Sequence, residues 1–185
     1  LDQSLFVSNR KRFAKALHSN SLTVFNSNDI MPSNADGTMG FIQNSDLFYL
    51  SGIDQEDSIL LIFPGSTDPA HREVLFVKET NEHIAIWEGA KLTKQEATAT
   101  SGIQTVYWLG EFQRVFSALI HESDNVYLNS NEHNRAFTAV QTRDARFNEW
   151  CMKLFPLHRY ERSAPVMHRL RSIKSKEEVE LIRQA

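Results

Sequence analysis

The sequence contains one cysteine, Cys151, among its 185 residues, so no disulfide can form within the chain. Chains without disulfides are typical of reducing compartments, and we therefore expect a cytoplasmic protein. Cys151 stands between Trp150 and Met152 in a stretch with helical periodicity. That setting favours a buried, small apolar side chain over a reactive nucleophile.

Excess charge and long hydrophobic runs are also missing. The net charge is −3 and the isoelectric point is near 6.2, which argues against nucleic acid or an anionic membrane as a partner. No run approaches the roughly 18 apolar residues of a membrane-spanning helix. The first residues show no basic-then-apolar signal pattern. The small basic cluster at 169–176 is interpreted as a solvated helix entrance.

Recognisable catalytic motifs are absent as well. The seven histidines include no His-Glu-x-x-His pair and no close His-x-His pair, which are common arrangements in metal sites. There is no phosphate-binding glycine loop and no nucleophile elbow. From the residues alone, we assign no catalytic and no metal-ligating side chain.

What the sequence does contain is an alternation of apolar runs and amphipathic segments. Residues 58–63 and 73–78 are continuous apolar runs separated by a turn, which predicts an antiparallel pair of strands covered on both faces. The alternation predicts a three-layer α/β domain, with a mixed β-sheet flanked by helices. The other predicted strands are 22–25, 82–87, 125–128 and 157–160, and the predicted helices are 4–19, 93–101, 110–122 and 139–155.

The end of the sequence predicts a helix. Ser175 and Glu178 form a capping-box pattern, in which each side chain can bond the backbone amide of the other. Val179, Leu181 and Ile182 then begin an apolar face, and the sequence stops at Ala185. We expect that this helix leads into a further domain.

Three runs resemble the aminopeptidase P family. The first is QNSDLFYLSGI at 43–53, the second is IWEGAKL at 86–92, and the third is RLRSIKSKEEVELIRQA at 169–185. Their order and spacing fit, and the resemblance spans nearly the whole chain. The third run is the least specific, since prolidases and creatinases share it. Ile42 departs from the family, many of whose members carry an arginine there.

The resemblance implies an architecture and an activity. Residues 1–174 would be a ribonuclease-H-like amino-terminal domain, and 175–185 would begin the linker helix into a missing catalytic domain with the pita-bread fold. That domain would hold two divalent metal ions, usually manganese, and cleave the bond between an N-terminal residue and a following proline. The metal ligands would lie beyond Ala185, so this chain alone would be inactive and would hold no cofactor. Its expected partners are its own catalytic domain, further copies in a dimer or tetramer, and the peptide substrate.

The resemblance also implies two residues close to substrate. Trp87 matches a tryptophan that can approach the substrate pocket of a neighbouring subunit, and Asp36 matches an acidic position that lies toward substrate. Simpler interpretations remain open: Trp87 could be a core or sheet-edge aromatic, and Asp36, beside Gly37, could be an ordinary turn residue.

Two other functions also remain open. The parent protein could be a prolidase-type dipeptidase, or it could be a non-catalytic module that binds peptides or proteins through a peptidase-like fold. The sequence that follows would distinguish them, because intact metal ligands indicate an enzyme and substituted ligands indicate a binding module.

Overall fold

The structure is a computed structural model that describes residues 1–184. Six strands form one sheet: β1 Ser21–Asn26, β2 Ile59–Ile62, β3 Glu73–Val77, β4 Thr105–Trp108, β5 Asn125–Leu128 and β6 Arg159–Arg162. Eight α-helices accompany them within the described residues: α1 Gln3–Ala14, α2 Ser45–Ser51, α3 Glu82–Glu88, α4 Lys94–Ser101, α5 Phe112–Glu122, α6 Arg143–Leu154, α7 Ala164–Ser172 and α8 Lys176–Gln184.

The strands lie in the order β4-β3-β2-β1-β5-β6. β1 is parallel to β5, β5 to β6, and β3 to β4, whereas β2 is antiparallel to both of its neighbours. A single reversed strand, β2, therefore runs against the other five. This confirms the predicted mixed β-sheet of an α/β domain, and it confirms the predicted antiparallel pairing of β2 and β3.

Alternating side chains of the central strands enter two separate cores. Leu22 and Val24 of β1 pack on one face of the sheet, against α5 and α6. Phe25 packs on the opposite face, in a core that also contains side chains of α1, α2, α4 and α7. Because successive strand residues point to opposite faces, an unbroken apolar run is needed to fill both cores. The three-layer arrangement follows from that pattern.

The prediction of a strand at 82–87 is wrong, because the structure forms helix α3 there. Asn81 caps the helix, accepting a hydrogen bond from the backbone amide of Ile84 at 2.9 Å. Gly89 ends it with a φ of 79°. These start and stop signals outweigh the apolar character of the run. Helices α2 and α7 and strand β4 were not predicted, and α6 begins at Arg143, four residues later than expected.

A buried arginine joins the first helix to the sheet. Arg10 is 0% exposed, and its Nε donates to Glu73 of β3 at 2.9 Å while its Nη1 donates to the carbonyl of Leu50 at 2.8 Å. Burial lowers the pKa of Arg10, and the nearby Glu73 opposes that effect. The residue thus fixes α1 relative to both α2 and β3.

The predicted capping box at the start of α8 is present. The amide of Ser175 donates to Glu178 at 2.8 Å, and the amide of Glu178 donates back to the hydroxyl of Ser175 at 3.1 Å. Leu181 of this helix lines an apolar groove of about 510 Å³ together with residues of α1 and α2. Ala185 lies outside the described residues. None of the helices within 1–184 has the length and apolar character to cross a membrane.

We predict that Gly52→Ala destabilises the domain. Gly52 ends α2 with a φ of 71°, and a Cβ atom there would lie 2.3 Å from the ring of Phe6. Both the strain of a left-handed alanine and the overlap with the ring raise the energy of the folded state, so we expect a loss of more than about 1 kcal/mol. Chemical unfolding measures the difference.

The matched control is Gly40→Ala, because a Cβ at Gly40 would meet no atom within 4 Å. We expect it to leave the free energy of unfolding almost unchanged. Equal stability of the Gly52 and Gly40 variants would contradict the geometry described for the end of α2.

Candidate functional site

Trp87 is on the outside of the molecule. Its side chain is 81% exposed, and none of the residues of α3 is buried. The interpretation of Trp87 as a core aromatic is therefore wrong. Ile84 and Ala85 form the half-buried inner side of α3, whereas Ile86 and Trp87 are neighbouring apolar side chains exposed to water.

Helix α3 is held in place at its carboxyl end. The ammonium of Lys78 pairs with Glu88 at 2.6 Å, and Lys91 pairs with Glu56. The amide of Leu92 donates to the side chain of Gln55 at 2.7 Å. The residues that make these contacts, Glu88, Lys91 and Leu92, all follow Trp87 closely, so the indole projects from a segment that is anchored on its carboxyl side.

Asp36 lies near the tip of a hairpin-like loop, residues 27–44, between β1 and α2. The amide of Met39 donates to the carbonyl of Met31 at 2.9 Å, and the amide of Ser33 donates to the carbonyl of Gly37 at 3.0 Å. Asp36 itself is exposed and falls in the turn. The structure thus shows a turn residue, and it leaves the carboxylate free to face a partner.

The structure does not join the two predicted site residues. No hydrogen bond or ion pair links Asp36 to Trp87 within the described part of the chain. Across residues 1–184, no group of three or more His, Cys, Asp or Glu side chains is arranged to hold a metal ion. These residues do not fit a metal centre, so no chemical step is assigned through a metal here.

Four polar side chains missed by the sequence reasoning converge at the carboxyl end of β1 and β5. Asp144, in the first turn of α6, is only 8% exposed. Asn26 ends β1 and donates to Asp144 Oδ1 at 2.9 Å. Asn129 follows β5 and donates to Oδ2 at 3.3 Å, and Asn44 donates to the same oxygen at 3.4 Å. We call these four residues the Asp144 cluster.

Burial dominates the electrostatics of the cluster. It raises the pKa of Asp144 from an ordinary value of 3.8 to about 6, while the hydrogen bonds from Asn26 and Asn129 act in the opposite direction and the nearby Asp46 adds to the rise. A sequence signal for the cluster did exist: an asparagine ends or follows each of two apolar strands, and parallel neighbouring strands bring their carboxyl ends together.

Comparison with known proteins adds to this geometry. The family model described as aminopeptidase P, N-terminal domain, matches residues 6–127. The chain belongs to that family. The resemblance stated from the three sequence runs is thereby confirmed, and the first two of those runs lie within the matched residues.

Individual relatives of this aminopeptidase P N-terminal domain are longer proteins. Xaa-Pro aminopeptidase 3 of Homo sapiens is 32% identical over 89 residues, which are 47% of this chain and 18% of the relative. Xaa-Pro aminopeptidase of Escherichia coli K12 is 27% identical over 159 residues, 82% of this chain and 34% of the relative. A solved structure of zinc-substituted E. coli aminopeptidase P in complex with product has a TM-score of 0.77 at 23% identity, and the match covers 100% of this chain and 42% of that one. The chain spans less than half the length of each.

We predict that the Asp144 carboxyl makes stability depend on pH. Its folded-state pKa, about 6, lies above its ordinary value of 3.8, so the folded state binds the proton more tightly than the unfolded state does. The free energy of unfolding should therefore rise as the pH falls from 7 towards 4, by about 1–3 kcal/mol from this group.

The measurement is chemical unfolding at several pH values, with Asp144→Asn as the matched variant. Subtracting the pH profile of the variant removes the contribution of other titrating groups. A difference profile that is flat between pH 4 and 7 would show that Asp144 keeps an ordinary pKa in the folded protein.

Proposed function

We propose that this chain is the non-catalytic amino-terminal domain of an Xaa-Pro aminopeptidase. The full protein would hydrolyse the bond between an N-terminal residue and a following proline. The observation that carries the proposal is the similarity to E. coli Xaa-Pro aminopeptidase, which extends over 82% of this chain. The exposed Trp87 on an anchored helix gives such a domain a surface through which it could serve a neighbouring catalytic domain.

The greater length of the relatives supports a proposed division into this domain and a separate catalytic domain. Residues 1–174 form the domain, and 175–185 begin the linker helix into a catalytic domain that holds two divalent metal ions, with manganese as the proposed metal. The zinc-substituted form of the E. coli protein supports metal dependence in the family. When bound, the metals would supply the activated water for amide hydrolysis. The proposed location is the cytoplasm, in keeping with the single, buried Cys151.

Trp87 is proposed to form part of a substrate-pocket wall in an oligomer. An indole is large, apolar and flat, so it suits the ring of a proline residue and excludes water from the reacting bond. No side chain of helix α3 is fully buried in the single chain, and Ile86 and Trp87 are exposed, which supports a surface that another subunit covers. Asp36, near the tip of the 27–44 loop, belongs to a different segment from Trp87 and is proposed to lie toward the same substrate region.

The first prediction from this proposal is that residues 1–185 alone have no peptidase activity. The described residues contain no cluster able to hold a metal ion, and the chain spans only a third of the E. coli relative. An Xaa-Pro peptide should remain intact when the purified chain is supplied with manganese, whereas the full-length protein should cleave it. Chelator-sensitive turnover by the chain itself would contradict the assignment.

The second prediction separates a substrate-wall role of Trp87 from a packing role. Trp87→Ala should lower kcat/KM of the full-length enzyme about tenfold or more, because a misplaced substrate loses transition-state stabilisation. Since the indole is 81% exposed, the free energy of unfolding of this domain should change by no more than about 0.5 kcal/mol.

Ile86→Ala is the matched control, because Ile86 is also an exposed apolar residue of α3. It should alter kcat/KM much less than Trp87→Ala does. An equal kcat/KM for Trp87→Ala and the parent enzyme, or a large loss of domain stability, would contradict the role of Trp87 in the wall of the substrate pocket.

A further inference from the structure

The loop that carries Asp36 begins and ends at one buried carboxylate. Residues 27–44 leave the sheet after Asn26, the last residue of β1, and return at Asn44, the N-cap of α2. Asn26 donates to Asp144 Oδ1 at 2.9 Å, and Asn44 donates to Asp144 Oδ2 at 3.4 Å. The two oxygens of a single side chain on α6 therefore hold the two ends of the loop.

Two further hydrogen bonds hold the base of the same loop in place. The side chain of Asn28 donates to the carbonyl of Ile42 at 2.9 Å. The amide of Ser27 donates to the carbonyl of Ser58 at 2.8 Å. Above this base, the backbone hydrogen bonds of Met39 and Ser33 continue the hairpin toward Asp36. A short series of hydrogen bonds thus connects the base of the loop with the turn that contains Asp36.

Burial of the Asp144 carboxylate raises the free energy of the folded state. The carboxylate is almost fully buried and has no cationic partner among the residues that hydrogen-bond to it, all three of which are neutral asparagines. Of the charged groups nearby, Asp46 is occupied by Arg171 at 2.7 Å, and Arg143 by Asp57 at 2.7 Å. A buried charge without an ionic partner lowers the stability of the folded state. It can nevertheless fix an arrangement of the chain that an apolar residue could not.

We propose that Asp144 is a positioning residue that fixes both ends of the 27–44 loop and thereby holds Asp36 in place toward substrate. An ionised carboxylate has only acceptors, so it can receive the amide groups of Asn26, Asn44 and Asn129 at once. A neutral side chain of the same size cannot. The inference rests on the proposed function for the role of Asp36, while the fixing of the loop is a property of the fold alone.

The test uses the full-length protein and two variants that both disturb the hydrogen bond from Asn44 to Asp144. Asn44→Ser keeps an oxygen that can cap α2, because serine is a good N-cap residue, but it removes the amide that donates to Asp144. Asp144→Asn keeps the size of the side chain and removes its charge. The control is Asp124→Asn, an exposed carboxylate that accepts from the amide of Asn20 at 2.9 Å near the start of β5.

Hydrogen exchange reports on the loop directly. In both Asn44→Ser and Asp144→Asn, peptides covering 31–39 should lose protection about tenfold or more, the range expected when a hydrogen bond to a charged group is removed. Peptides from β2 and β3 should keep their protection. Adding Asn44→Ser to Asp144→Asn should loosen the loop no further, because Asp144→Asn already weakens the link from Asn44. Unchanged loop protection, or an equal loss in the central strands, would overturn the proposal.

Kinetics separate this inference from the proposed function. Asn44→Ser should lower kcat/KM for an Xaa-Pro peptide, and it should have no further effect when Asp36→Asn is already present. An undiminished effect of Asn44→Ser in the Asp36→Asn background would count against positioning of Asp36. If the loop loosens while Asp36→Asn leaves kcat/KM unchanged, the fixing of the loop stands and the substrate role of Asp36 fails.

Discussion

Strands β1, β2 and β3 have apolar groups packed against both of their faces, and this two-sided burial is the constraint on which the rest of the fold depends. Phe25 and Leu60 enter one core, whereas Val24 and Leu61 enter the other. Neither face can be left to solvent, so helices must lie on both. The loops that connect these layers emerge at the ends of the strands, where Asp36 and the Asp144 cluster are found.

Two of the buried charged side chains, Arg10 and Asp144, lie where apolar packing alone does not determine how the segments are arranged. Arg10 donates hydrogen bonds to α2 and β3, and Asp144 joins the ends of β1, β5 and the 27–44 loop. Apolar side chains could fill the same volumes, yet they would lack the directional hydrogen bonds that fix how the segments are oriented. Each charge links segments that are far apart in the sequence, which suits a role in fixing one arrangement of those segments.

Much of the fold could be predicted from local patterns. The apolar runs at 58–63 and 73–78 predicted β2 and β3, and the apolar repeat at 110–122 predicted α5, because burial on two faces or on one stripe leaves a clear signature. Helix α3 was missed because its short apolar run resembles a strand, and the decisive signals were Asn81 and Gly89. Strand β4 was missed because it is a four-residue edge strand and only half-buried. The Asp144 cluster could not be predicted in detail, since Asn26 and Asp144 meet only through the parallel pairing of β1 with β5.

That pairing has a consequence for how the chain acquires its structure during synthesis. Ser21 lies opposite Asn125 in the parallel ladder, so the inner edge of β1 has no partner until more than a hundred further residues have been made. Bringing distant residues together reduces the entropy of the chain before their contacts can stabilise it, and this slows folding. Until β5 leaves the ribosome, β1 presents an apolar edge that can pair with other chains.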